Sequence, residues 1–404
     1  MLLLNRIALG AILGIVFFIP ISSAAIESFF GVLGICAALR LLHVRPCLAD
    51  VKSFFWNPLH ATLTVFYVLL GISILAAGPL WPKSLEAWLT KWGEWLLLFC
   101  LIRLFVQREH LKWISYILVF TAALICVDGI FQKITGYDFI RGFEIVPANY
   151  FLPVRASLHH YNHFGGYLAV IFFMITAVLI NVKDRAKCIA LIGLLGLIFV
   201  NLLLSYSRGA WLAFASGCLW FFATSPKQKF SYAILSLLGA LLGLIFLHPG
   251  LRERAVYLFT SGGDEQRFEV WKAALRVWME SPYIGRGLGL LMDYLPEYLS
   301  QTRIKEVFWA QYAHNSYLQI LVESGPLALL SFLLAALGIL LRGFRAAKGY
   351  SPAHALVAAY VVLLVHCFFE NHLYSLQLSA LFWVSAAFVS RIPELGLGEG
   401  QKSH

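Results

Sequence analysis

The sequence predicts an all-α polytopic integral membrane protein of about twelve transmembrane helices, with one large polar loop on the outer side. Three observations carry this. Of 404 residues, 60% are hydrophobic and 13% charged, whereas a soluble domain is about 45–50% apolar and about 25% charged. Leu, Phe, Ile and Trp gather in runs of about 17–25 residues, the length that crosses a hydrocarbon layer of about 30 Å. The short loops rich in Lys and Arg fall at every second gap between those runs.

The apolar runs place spans at 5–24, 27–43, 58–78, 89–107, 112–131, 163–182, 187–204, 209–224, 230–247, 325–341, 353–370 and 373–390. Met1–Ala25 ends in small residues as a signal peptide does, but its apolar run is long and further spans follow, so it reads as the first helix. With the N-terminus cytoplasmic, Arg6, Arg40/Arg45/Lys52, Arg103/Arg108/Lys112, Lys183/Arg185/Lys187, Lys227/Lys229, Arg342/Arg345/Lys348 and Arg391/Lys402 all lie inside. Both termini are then cytoplasmic. The net charge of +10 is spent on these scattered loops and forms no basic stripe, so no nucleic-acid partner is expected. The seven cysteines (Cys36, Cys47, Cys100, Cys126, Cys188, Cys218, Cys367) contain no CxxC pair, and neither disulfides nor a thiolate metal site is expected.

The chain reads as a single membrane domain, 1–404, with two outer segments too long to be turns: 133–162, and 248–313 between the ninth and tenth spans. Within the larger loop, EQRFEVWKAALRVWMES at 265–281 spaces Phe268, Trp271, Leu275 and Trp278 as an amphipathic helix, which Pro282 stops. The GRGLG run that follows has no strand before it and reads as a flexible turn, not a dinucleotide fingerprint.

Several outer-side residues carry chemistry. Arg208 opens the eighth span in SYSRGAWL. It reads either as an interfacial arginine that snorkels, or as part of an anion site with Ser205, Ser207 and the positive end of the helix. Arg267 lies one turn before Trp271; it is either a solvated charge or the second arginine of a diphosphate clamp. His314, followed by Asn315, sits where the large loop meets the next span, and reads either as a packed or capping residue or as a base. His159, His160 and His163 (HHYNH) lack the further ligands of a metal site; with Arg155 and Asn162 they read as the lining of an aqueous cleft. Glu323 and Glu370 are acids near outer span ends, each a functional group or the partner of a nearby His or Arg.

Taken together, SRGAWL at Arg208, RFEVW at Arg267 and HNSYLQILVESG from His314 to Gly325 resemble the O-antigen ligase family, along nearly the whole chain. Its R-x3-L element is matched by Arg208 and Leu212, and its H-[NSQ]-x9-G element by His314, Asn315 and Gly325; Ala328 stands where a Gly, Thr or Tyr is usual. The resemblance implies a fold of the GT-C glycosyltransferase type in the bacterial inner membrane with its site on the periplasmic side. It implies transfer of O-antigen from undecaprenyl diphosphate to a sugar hydroxyl of lipid A-core, without metal or other cofactor and with inversion. His314 would be the base and Arg208 and Arg267 the diphosphate ligands, supported by Asn315, Ser207, Arg155, Asn162 and His163. The loop helix with Trp271 and Trp278 would form a roof.

Related activities remain open. The Arg155–Gly166 spacing is also similar to that of O-antigen polymerases, and a protein O-oligosaccharyltransferase would use the same chemistry. A lipid-linked oligosaccharide flippase or transporter is a different class, disfavoured because the charges cluster at the outer face and no halves repeat.

Overall fold

The structure is a computed structural model that describes residues 1–44, 57–147, 151–226, 228–260, 263–300 and 312–397. Arg45, Cys47, Lys52, Lys227 and Lys402 of the loops named above, and parts of the 248–313 segment, lie outside the described residues. The described chain is helical, with a lone Tyr137–Glu144 bridge.

The helices are α1 (Leu2–Phe18), α2 (Ser23–Val44), α3 (Pro58–Ile72), α4 (Glu94–Phe105), α5 (Leu111–Thr135), α6 (Tyr161–Asn181), α7 (Arg185–Leu204) and α8 (Arg208–Thr224). They continue as α9 (Gln228–Leu247), α10 (Pro249–Thr260), α11 (Gly263–Met279), α12 (Leu291–Leu299), α13 (Ser316–Ala346), α14 (Ser351–His366) and α15 (Leu376–Ser390). Local chemistry explains several boundaries. Asn57, Asp184 and Ser207 cap α3, α7 and α8 through their side-chain oxygens, and Gly136, at φ +90°, ends α5.

Each of the twelve apolar runs contains helix. Among the described residues, seven helices are long and apolar enough to cross a membrane: Ser23–Val44, Pro58–Ala76, Arg108–Thr135, Tyr161–Asn181, Arg185–Leu204, Lys229–Leu247 and Ser316–Ala346. Leu2–Phe18, Ser351–His366 and Leu376–Ser390 are shorter apolar helices. At 15 residues α15 reaches about 22 Å.

Burial separates centre from rim. α6 is 89% buried and packs against α7, α8 and α14, whereas α2 and α9 are each 22% buried and turn most of their apolar surface outward. The tenth apolar run extends further than its hydropathy indicates. α13 begins at Ser316, and Gly325 (φ +82°, ψ 173°) with Pro326 breaks it into a nine-residue outer piece and a long apolar shaft.

The basic loops meet at one end of the bundle. Glu394 accepts Arg342 Nη2 at 2.5 Å and lies 3.8 Å from Arg103 Nη2, while Arg391 Nη1 donates to the Arg103 carbonyl at 2.6 Å. At the opposite end of α13, α11 and α12 form a small core of their own on the first turns of α13, from Val270, Ala273, Ala274, Val277, Leu291, Leu295, Leu299, Ala313 and Val322.

Candidate active site

His314 precedes α13 and is held in the left-handed region at φ +48°, a conformation that costs a non-glycine residue of order 1 kcal/mol or more. Its neighbours are fastened on both sides. The Ala313 amide donates to Gln319 Oε1 at 3.1 Å, the Asn315 amide to Asn371 Oδ1 at 2.9 Å, and the Ser316 amide to the Cys367 carbonyl at 2.8 Å. Asn315 is the N-cap of α13, its Oδ1 accepting from the amides of Tyr317 and Leu318 at 3.0 Å each. Trp271 of α11 points inward and donates from Nε1 to the Ala313 carbonyl at 2.8 Å, so the loop helix braces the histidine from above.

His314 Nδ1 lies 3.2 Å from Glu370 Oε2. Glu370 is buried in the turn between α14 and α15. Its other oxygen accepts from Asn162 Nδ2 and lies 3.9 Å from Arg267 Nη2. Burial alone would raise the Glu370 carboxyl, but His314 and Arg267 together hold it well below its usual range. An ionised carboxylate only accepts, so Nδ1 of His314 carries a proton, and in the neutral ring the lone pair is then on Nε2.

Arg208 is the first residue of α8, two residues after Tyr206, which is also left-handed at φ +51°. The Ser207 and Ser205 hydroxyls that the sequence offers to an anion are both fully buried. Ser207 Oγ caps the Ala210 amide at 3.4 Å and Ser205 Oγ donates to the Leu202 carbonyl at 2.6 Å. The start of α8 is pressed against the Glu370 turn. A Cβ at Gly209 would stand 2.7 Å from Phe369 Cβ, which brings the Arg208 turn beside the histidine centre.

Arg155 is held to backbone, Nη1 donating to the His159 carbonyl and Nη2 to the Glu144 carbonyl at 3.0 Å each, with its guanidinium over Phe143. His160 caps α6, its Nδ1 accepting from the Asn162 amide at 3.1 Å; burial keeps this imidazole below its usual value, in the neutral form that acceptance needs. The His163 ring lies 6.4 Å from that of His372, and among the described residues its Nδ1 has no hydrogen-bond partner. Beneath them His366 Nδ1 and His372 Nε2 touch, both rings buried, and a Cβ at Gly166 would meet His366 Nδ1 at 2.5 Å. Packing therefore accounts for this glycine, which ten residues separate from Arg155. Among the described residues no three His, Cys, Asp or Glu side chains converge as metal ligands would.

Among the described residues, Glu323 meets neither a histidine nor an arginine. It accepts from Tyr374 Oη at 2.7 Å, Gln319 Nε2 at 2.8 Å, and the amides of Gly289 at 2.8 Å and Leu291 at 3.3 Å. The GRGLG turn, read from sequence as flexible, is thus tied down, with the Arg286 amide on the Val322 carbonyl at 2.9 Å and Gly287 on that of Glu323 at 3.1 Å. Gly325 permits this approach: a Cβ there would stand 2.2 Å from the Tyr283 carbonyl oxygen, at a φ of +82°. Gly325→Ala is expected to lower stability by about 2 kcal/mol or more. A detergent-solubilised thermal midpoint equal to wild type would contradict this.

No curated protein matches the chain. The sequence profile of the family described as O-antigen ligase matches residues 193–333. That stretch holds Arg208, Arg267, His314 and Gly325, while Arg155, Asn162 and Glu370 lie beyond it. Residues 193–333, which hold both arginines and the histidine of this site, are thus similar to the O-antigen ligase family.

Proposed function

We propose that the protein is an O-antigen ligase of the bacterial inner membrane, moving the glycan from undecaprenyl diphosphate to a sugar hydroxyl of lipid A-core. The observation that carries the reading is the arrangement on Glu370, which joins His314 at 3.2 Å and Arg267 at 3.9 Å within one buried turn. Positive-inside counting puts the basic end of the bundle in the cytoplasm with both termini, and the His314 end, with loop 248–313, in the periplasm. All twelve runs then span the membrane as one domain.

His314 Nε2 takes the proton of the acceptor hydroxyl as that oxygen attacks the anomeric carbon, and Glu370 steadies the imidazolium that results. The bond from anomeric carbon to phosphate oxygen breaks, and its electron pair leaves with the diphosphate. Arg208 and Arg267 offset the growing negative charge, a task that guanidinium groups perform without a metal. Attack opposite the leaving group inverts the anomeric centre.

The test is reconstitution. Purified protein given undecaprenyl-diphosphate-linked O-antigen and lipid A-core should yield a slower-migrating lipopolysaccharide. Donor lengthened without acceptor would mark a polymerase, glycan on protein an O-oligosaccharyltransferase, and lipid movement with no new bond a flippase. Arg208→Lys is expected to lose at least tenfold in kcat/KM, because an ammonium cannot fork to two oxygens. Unchanged kcat/KM would remove Arg208 from the diphosphate.

A further inference from the structure

Arg254 on α10 takes no part in the mechanism above. Its Nε donates to the Tyr206 carbonyl at 3.2 Å, and its guanidinium carbon lies 5.3 Å from the centre of the Phe151 ring. Phe151 packs in turn on the Tyr206 ring, with centroids 5.4 Å apart. Among the described residues neither Nη nitrogen has a protein partner and no carboxylate pairs with the group. Glu253 is its chain neighbour, but adjacent residues on a helix do not face each other.

The arginine is therefore half-buried and fastened twice to the turn that presents Arg208, two residues beyond Tyr206. Holding one carbonyl uses one of five N–H donors, and stacking on Phe151 fixes the plane of the rest. Arg267 differs in having the Glu370 carboxylate 3.9 Å away. Resting on the donor assigned above, we propose that Arg254 and Arg208 form a paired-guanidinium site for the lipid diphosphate, Arg254 binding phosphate oxygens through its Nη edge. Arg254 is then a substrate-binding residue, and the site distinguishes a lipid diphosphate from a lipid monophosphate because it offers two guanidinium groups to two phosphates.

The experiment is equilibrium binding of undecaprenyl diphosphate and undecaprenyl monophosphate to the full chain in lipid nanodiscs, for wild type, Arg254→Lys and Arg254→Gln. Lysine keeps the charge without the fork, and glutamine keeps a donor for the Tyr206 carbonyl without the charge. Expected is a loss of about tenfold in diphosphate affinity in both variants, with monophosphate affinity, acceptor KM and thermal midpoint near wild type. Undiminished diphosphate affinity in both variants would overturn the assignment. So would equal weakening toward both lipids with a lowered midpoint, the signature of a backbone prop alone. If wild type bound neither lipid, the donor reading itself would fall, and this assignment with it.

Discussion

His314→Ala should abolish glycan transfer, lowering kcat by 10² to 10⁴ or more, the usual range for a positioned base. The protein should remain inserted and folded, because the Asn315 cap and the flanking amide bonds do not use the imidazole. Alanine meets strain at φ +48°, so His314→Asn is the matched control: asparagine enters the left-handed region readily but is a negligible base. Single-turnover assays should find both variants inactive, with the asparagine variant closer to wild type in thermal midpoint. Substantial turnover in either would remove His314 as the base.

Nearly as large an effect is expected from Glu370→Gln. An amide can donate to Nδ1 of His314, which favours the tautomer with its proton on Nε2 and leaves the base unable to accept; a fall in kcat on the order of 10² or more follows. The change also removes the anion facing Arg267. Acid stability supplies a second readout. The carboxyl is held well below its ordinary value of 4.5 in the folded protein. The stabilisation it contributes is complete above that ordinary value and is lost as pH falls through the lower, folded one. Wild type should therefore lose thermal midpoint on acidification below about pH 4.5, and Glu370→Gln should lose less. Parallel acid profiles would contradict the pairing.

The helices were legible because lipid-facing runs announce themselves by length and composition, and the two motif-bearing residues because their neighbours in sequence are the motif. Glu370 was visible only as an acid near a span end: it stands 56 residues from His314 in a turn between two apolar runs, and no periodicity links them. Nor can residue types reveal that Ser207 spends its hydroxyl on a cap, or that Tyr206 and His314 sit at positive φ. Those features come from tertiary packing. The apolar span at 325–341 takes in only the shaft of α13 because the polar SYLQILVE stretch dilutes hydropathy, while the backbone is helical on both sides of the Gly325–Pro326 break.

That break has a mechanical consequence. A continuous rod would carry any change of tilt in the shaft directly to the histidine, and shafts tilt to match the thickness of the surrounding lipid. Here the hydrogen-bond ladder is interrupted at Gly325, and the outer piece is lashed to the 285–291 turn through Val322 and Glu323. The His314 end thus takes its bearings from the loop packed on it, and the shaft is left to lean with the bilayer.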